Sequence, residues 1–174
     1  MELLLKWQRV HRLLGSAERP WIVANIFVDS LLFLRVLPPS AARVLDFGSG
    51  AGVPGIPVAI VAPGIELCLL EARQKRVSFL SEALRTLGLA NCSLMPARAE
   101  AVADSLSEAF DAVMMRCAGP PKAAATALRF LRPGGVIIAT SAPDTPPGNG
   151  VVEVSVPGLR PRRFRVSGKP VSSS

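Results

Sequence analysis

Apolar positions recur along the chain with two different periods, and the change between them marks its main boundary. Near the start, Leu3, Trp7, Val10 and Leu14 are spaced by four, three and four. That spacing predicts one helix with a buried stripe, with Lys6, Arg9 and Arg12 on its other faces and Gly15-Ser16 as its stop. Trp21 to Leu37 is a second apolar stretch, opened by Pro20 and closed by Pro38-Pro39, and reads as a buried helix. From Arg43 onward short strand-like runs take over: Arg43–Phe47, Glu66–Leu70, Ser93–Met95, Phe110–Arg116 and Val136–Thr140. Helices are predicted between them. One is short and ends at Pro63-Gly64. One runs from Ala72 to Leu87, with Val77, Leu80, Leu84 and Leu87 as its buried stripe and Gly88 as its stop. A third covers Pro121 to Leu131, and the turn Arg132–Gly135 follows it. Strands that alternate with helices over 43–140 predict a mostly parallel sheet covered on both faces. The Pro- and Gly-rich stretch Ala142–Gly150 is a predicted loop. Val151–Val156 and Arg163–Val166 are expected to close the sheet as an antiparallel hairpin, before a frayed end at Pro170–Ser174. No repeat is visible. The expected organisation is a single domain over 1–174, with a helical segment at 1–40, a core at 43–140 and strands within 151–167.

Composition narrows the function classes. The chain has 174 residues, 49% of them apolar, so it can bury a core, and global disorder is excluded. Its three cysteines, Cys68, Cys92 and Cys117, show no CxxC spacing, and His11 is the only histidine. A structural zinc site, which needs about four thiolate or imidazole ligands, is therefore excluded. Three cysteines in strand-like stretches cannot all pair internally, which suggests a reducing, cytoplasmic setting. No apolar run is long enough to span a bilayer, since Asn25, Asp29 and Arg35 interrupt the most apolar window. The first ten residues lack the layout of a secretory signal. Twenty Lys and Arg against thirteen Asp and Glu give a net charge of +7. That charge leaves nucleic acid, an anionic membrane or no particular partner.

The densest chemistry lies after the first strand, in Asp46-Phe-Gly48-Ser-Gly50-Ala-Gly52-Val53-Pro54-Gly55. In a doubly wound sheet, ligands sit beyond the carboxyl ends of the strands. Glycines there let the backbone approach a ligand closely. Two registers compete. Gly50-x-Gly52-x-x-Gly55 matches the dinucleotide fingerprint, with Glu71 about 20 residues on for a ribose. Asp46-x-Gly48-x-Gly50-x-Gly52 is the arrangement of S-adenosylmethionine (SAM) methyltransferases. The second register is preferred, because Asp46 has a partner in the methionine ammonium of SAM but would repel a pyrophosphate. Glu71 serves either reading, since both ligands carry a ribose diol.

With these residues the chain resembles the bacterial 16S rRNA guanine-N7 methyltransferases called RsmG or GidB. The likeness spans roughly residues 5–140 and is most specific from 44 to 116. Its strongest stretch runs from Val44 to Val58 and contains Gly52-Val-Pro-Gly-Ile-Pro57. Leu69–Leu80, Ala97-Arg98-Ala99-Glu100, Phe110–Arg116, Trp7 and Asp29-Ser30-Leu31 add to it. The resemblance implies a Rossmann-like class I SAM-dependent fold with added N-terminal helices, SAM as cofactor, ribosomal RNA or the small ribosomal subunit as partner, and a monomer. By position it implies that Gly48 and Val53 line the SAM pocket and that Ala99 and Glu100 flank the adenine. Arg116 would face the shared SAM and guanine site and is the expected catalytic residue. Simpler roles stand beside these: Val53 as a core residue, Glu100 as an acid at a helix N-terminus, and Arg116 paired with Asp111 or a backbone carbonyl. Lys75 and Arg76 would be a solvated helix face or RNA contacts. The chain departs from the family in lacking an Asn-Leu-Thr motif after the first helix. Ile26-Phe27 stands near the family's Arg-His, and Met115-Arg116-Cys117 replaces Ser-Arg-Ala.

Guanine N7 carries an in-plane lone pair and needs no base to activate it, which suits a chain with one histidine and no tyrosine. No Ser-His-Asp or Cys-His set is evident, and Ser49 lacks the Gly-x-Ser-x-Gly frame, so hydrolase chemistry is excluded. Phosphate contacts would come from Lys6, Arg9, Arg12, Arg160, Arg162, Arg163, Arg165 and Lys169, unless the last five form a solvated basic tail. The competing functions are a SAM methyltransferase of a protein or small molecule, an NAD-binding oxidoreductase, and a catalytically idle RNA- or ribosome-binding paralogue.

Overall fold

The computed structural model describes residues 1–116, 121–146, 148 and 150–171. Seven strands form one sheet: β1 (Arg43–Phe47), β2 (Glu66–Leu70), β3 (Cys92–Met95), β4 (Phe110–Met115), β5 (Leu131–Thr140), β6 (Val151–Val154) and β7 (Arg162–Gly168). Their order is β3-β2-β1-β4-β5-β7-β6. The first five pair in parallel, and β7 joins β5 and β6 in antiparallel register, as expected. The order reverses between β1 and β4, which opens a crevice at their carboxyl ends.

Alternation along the strands builds two cores. Val44, Leu67, Leu69, Ala112, Met114 and Ile138 face one side, and Leu45, Leu70, Val113, Met115, Ile137 and Ala139 face the other. The first side is covered by α1 (Glu2–His11), by a helical run over residues 19–35, by α4 (Gly55–Val61) and by α5 (Gln74–Leu87). The second is covered by α6 (Ala99–Val102) and α7 (Pro121–Phe130). Every residue of β4 is buried, and apart from Asp111 the segment is apolar.

The run over 19–35 changes pitch along its length. It begins as α2 (Arg19–Ile22), widens to π geometry over Val23–Val28, returns to α geometry in α3 (Asp29–Leu31) and tightens to a 3-10 turn over Leu32–Arg35. It is not buried all round, since Trp21 and Val23 stay exposed on one side.

Two predicted stripes are rotated from the observed ones. In α1 the buried residues are Leu4 and Gln8, whereas Val10 is 74% exposed. The Gln8 amide donates to the Leu14 carbonyl (2.8 Å) and accepts from the Leu14 N–H (2.7 Å), so its polar atoms are satisfied in the core. The helix stops at His11 because Arg12 turns left-handed (φ 46°), three residues before the predicted stop. In α5 the buried face is Val77, Phe79, Leu80 and Ala83, and Leu87 points outward. Trp7 joins the two helices by donating to Glu82 (2.8 Å) and packing edge-on to Phe79.

The predicted turn at Arg132–Gly135 lies inside β5. Phe110 pairs with Leu131 and Ala112 with Val136, so the intervening residues bulge out of the ladder. Cys68 and Cys92 are free thiols on neighbouring strands, and Cys117 lies outside the described residues, as do the last three residues of the predicted tail. Among the described residues no helix is long and apolar enough to cross a membrane.

Candidate functional site

The loop between β1 and α4 is held from beneath by two acids. Asp46, at 1% exposure, turns its carboxylate under the loop and accepts the Gly55 N–H at 3.0 Å. Gly55 must lack a side chain here, since a Cβ would lie 2.6 Å from that carboxylate and 2.3 Å from Leu69. Burial pushes the Asp46 carboxyl up to about 7, against the lowering effects of Gly55, Ser49 and Arg116. Asp46 thus turns a carboxylate oxygen to the start of α4, and it is not among the residues that line the cavity described next.

Glu71, just past β2, is the second acid and is 5% exposed. One of its oxygens accepts the Gly50 N–H (2.9 Å) and the other accepts the Arg73 N–H (2.8 Å). Arg76 stands 3.7 Å away and leans over Gly50, so it belongs to the loop and is not part of a solvated helix face. A carboxylate offers about four acceptor positions, so two remain on Glu71 for a ligand.

A cavity of about 260 Å³ opens beside these groups. Gly48 and Glu71 reach it from the ends of β1 and β2, Ala99 and Glu100 from the start of α6, and Lys122 from α7. A Cβ on Gly48 would meet nothing within 4 Å, so that glycine borders open space, and its φ of +73° disfavours any other residue. A concave site with a pre-oriented carboxylate and an apolar floor fits a nucleoside. The residues present therefore fit the adenosine end of SAM. Four of the sequence-predicted residues meet here: Gly48, Glu71, Ala99 and Glu100. Gly50 touches the site through its hydrogen bond to Glu71. Val53 is 8% exposed and borders a separate apolar cavity behind the loop. Arg98, which the sequence places only within the Ala97–Glu100 block, and Lys122, which no spacing pattern marks, also line the nucleoside-sized cavity.

Arg116 follows β4. Its guanidinium donates to the Asn25 carbonyl at 2.5 Å and lies 3.5 Å from the Asp29 carboxylate. The carbonyl alternative is thus observed and the Asp111 alternative is not. Asp111 sits at the other end of β4, where it accepts the Ala42 and Arg43 N–H groups and pairs with Arg132. The basic C-terminal residues are largely engaged. Arg162 pairs with Asp29, Arg163 with Glu153 and two backbone carbonyls, and Lys169 with Glu108. Arg160, Arg165, Lys6, Arg9 and Arg12 are exposed.

A family described as "GidB: rRNA small subunit methyltransferase G" matches residues 1–144. A "Ribosomal RNA small subunit methyltransferase G" of Methylococcus capsulatus is 36% identical over 98% of this chain and 86% of its own. One of the same name from Moorella thermoacetica is 39% identical over 81% of this chain and 60% of its own. The chain spans about half the length of several other such relatives. Among solved structures, a methyltransferase from Geobacter sulfurreducens superposes with a TM-score of 0.63 at 14% identity, over 94% of this chain and 86% of that one. A SAM-dependent O-methyltransferase from Thermotoga maritima gives 0.60 at 16% identity, over 84% and 66%. These likenesses establish the Rossmann-like class I methyltransferase fold. A family match that runs from the first helix through β5, on the fold and the loop described above, places the chain in the GidB family.

Proposed function

We propose that this protein transfers a methyl group from SAM to N7 of a guanosine in 16S ribosomal RNA. The observation that carries the reading is the convergence of Gly48, Glu71, Ala99 and Glu100 on one nucleoside-sized cavity at the point where the strand order reverses. The names of the relatives supply the substrate class.

Glu71 would accept the two ribose hydroxyls, with its angle fixed in advance by Gly50 and Arg73. Ala99 and Glu100 would flank the adenine. Asp46 keeps the loop curved by tying Gly55 to the end of β1, and so shapes the path toward the methionine end. Bound SAM supplies a methyl group on a sulfonium that is already an activated leaving group. Guanine N7 presents its lone pair without deprotonation, so the protein needs no general base. What remains is alignment, a contribution of up to roughly 7–11 kcal/mol. Arg116, held at the end of β4 by Asn25 and Asp29, would face the acceptor base in this reading.

The test pairs calorimetry with SAM and NAD against a map of N7-methylguanosine in 16S RNA, with and without the protein. Tight SAM binding, no NAD binding and one new methylated guanosine support the reading. Tight SAM binding with an unchanged map would redirect it to another methyl acceptor.

A further inference from the structure

A third cavity, of about 390 Å³, lies between the 19–35 helical run and the connection from β6 to β7. Trp21, Asn25 and Asp29 form one wall, and Arg160 and Arg162 the other. It shares no lining residue with the nucleoside-sized cavity.

Three features define its chemistry. Trp21 is 37% exposed although it is the largest side chain of its helix, so an aromatic face is left open beside the cavity. Asp29 is the single carboxylate on the lining, and Arg116 and Arg162 share it. Arg160 adds a further cation, and it has no carboxylate partner among the described residues. The balance is positive, and an aromatic ring stands opposite guanidinium groups. An apolar peptide would leave Arg160 without a counter-charge, since Asp29 already serves Arg162, and a bare anion would leave the indole unused. A nucleotide satisfies both, since every base has a face to stack and every phosphate accepts from arginine.

We propose that this cavity binds an unstacked nucleotide of single-stranded RNA, with the base against the Trp21 indole and the phosphate against Arg160 and Arg162. The proposal rests on the RNA-methyltransferase reading and deepens it, because Asn25 and Asp29 on the cavity wall are also the residues that hold Arg116. A strand seated on Trp21 would therefore bear on Arg116, the group that would face the acceptor base in that reading.

The test uses the full chain with Trp7→Phe, which leaves Trp21 as the sole indole. A short single-stranded RNA from the small-subunit substrate is titrated while fluorescence is read. Quenching is expected, with an affinity that falls as salt rises. By filter binding of the same RNA in labelled form, Trp21→Ala with Trp7 retained is expected to weaken RNA binding roughly 5- to 150-fold, the range for loss of one stacked base, and Trp21→Phe to restore most of it. Arg160→Gln should weaken binding and flatten the salt dependence. SAM affinity should not change in any of these variants. If RNA binds without quenching, or Trp21→Ala binds as tightly as the parent, the proposal is overturned even where methylation proceeds. Quenching and stacking loss with no methylated product would sink the catalytic reading and leave the cavity assignment standing.

Discussion

Asp46 offers a sharp quantitative test, because its burial predicts a stability that falls as pH rises. The ordinary value for its carboxyl is 3.8, and burial lifts it to about 7 in the folded protein. Between those values the folded state holds a proton that the unfolded chain has released, so alkalinisation favours unfolding. The advantage of the protonated form is full below pH 3.8, declines as pH climbs, and is gone above about 7. The gap, converted at about 1.36 kcal/mol per pH unit, sets a ceiling near 4 kcal/mol. Asp46→Asn removes the titration and keeps an oxygen that can accept the Gly55 N–H. The variant should match the parent within about 1 kcal/mol at pH 4.5 and exceed it by about 2–4 kcal/mol at pH 8. Urea unfolding, followed by circular dichroism at four pH values, reads the difference directly. A parent-minus-variant difference that stays constant from pH 4.5 to 8 refutes the argument, and so does a variant that is less stable at pH 8.

Other outcomes follow from the same geometry. Glu71→Gln should weaken SAM binding about 10- to 150-fold by calorimetry, as expected for a lost charged acceptor of about 1.5–3 kcal/mol. Gly55→Ala drives a methyl group into Leu69 and the Asp46 carboxylate and should destabilise the fold by about 1–3 kcal/mol in urea melts. Gly48→Val places a branched side chain in the open cavity at a positive φ, and should abolish SAM binding with little loss of helix by circular dichroism. Affinity for small-subunit RNA should drop with rising salt, and a flat curve between low and moderate salt would remove the basic surface from the reading.

Strands were the most legible part of the sequence. β1, β2 and β4 sit inside a sheet covered on both faces, so their sequence is mostly apolar, with Asp46 and Asp111 as the acids within β1 and β4. Helical faces were less legible. The pattern in α1 favours Val10 over Gln8, yet Gln8 is the buried one, because its amide closes the turn at Leu14 and a long-range fold sets that turn. Likewise Phe79 replaces Leu87 on the buried face of α5, where Trp7 comes in from α1 to meet it. In the site, the glycine spacing located the loop and Glu71. It did not reveal which atoms Asp46 binds, because that depends on a helix N–H nine residues away brought back by the loop. The places of Arg98 and Lys122 on the cavity were invisible for a related reason: they reach it from α6 and α7, and nothing in their spacing marks that convergence.

The two loop acids illustrate how little of this site is spent on chemistry. Each carboxylate first satisfies a backbone N–H of the loop, Asp46 at Gly55 and Glu71 at Gly50, and only Glu71 then borders a space a ligand can fill. An unoriented acid in that place would have to be ordered at the moment of binding, at a conformational cost of up to about 1.5–2 kcal/mol for a glutamate side chain. Here folding meets that cost beforehand. Arg116 follows the same rule, held by Asn25 and Asp29 before any acceptor arrives. A reaction whose nucleophile needs no base and whose leaving group is already activated gains most from fixed geometry. Two of the three sequence departures from the family, at Ile26-Phe27 and around Arg116, lie next to Asn25 and Asp29. Those two departures fall on the side where the acceptor strand would lie, while the loop keeps its two anchored acids and Glu71 keeps its place on the nucleoside cavity.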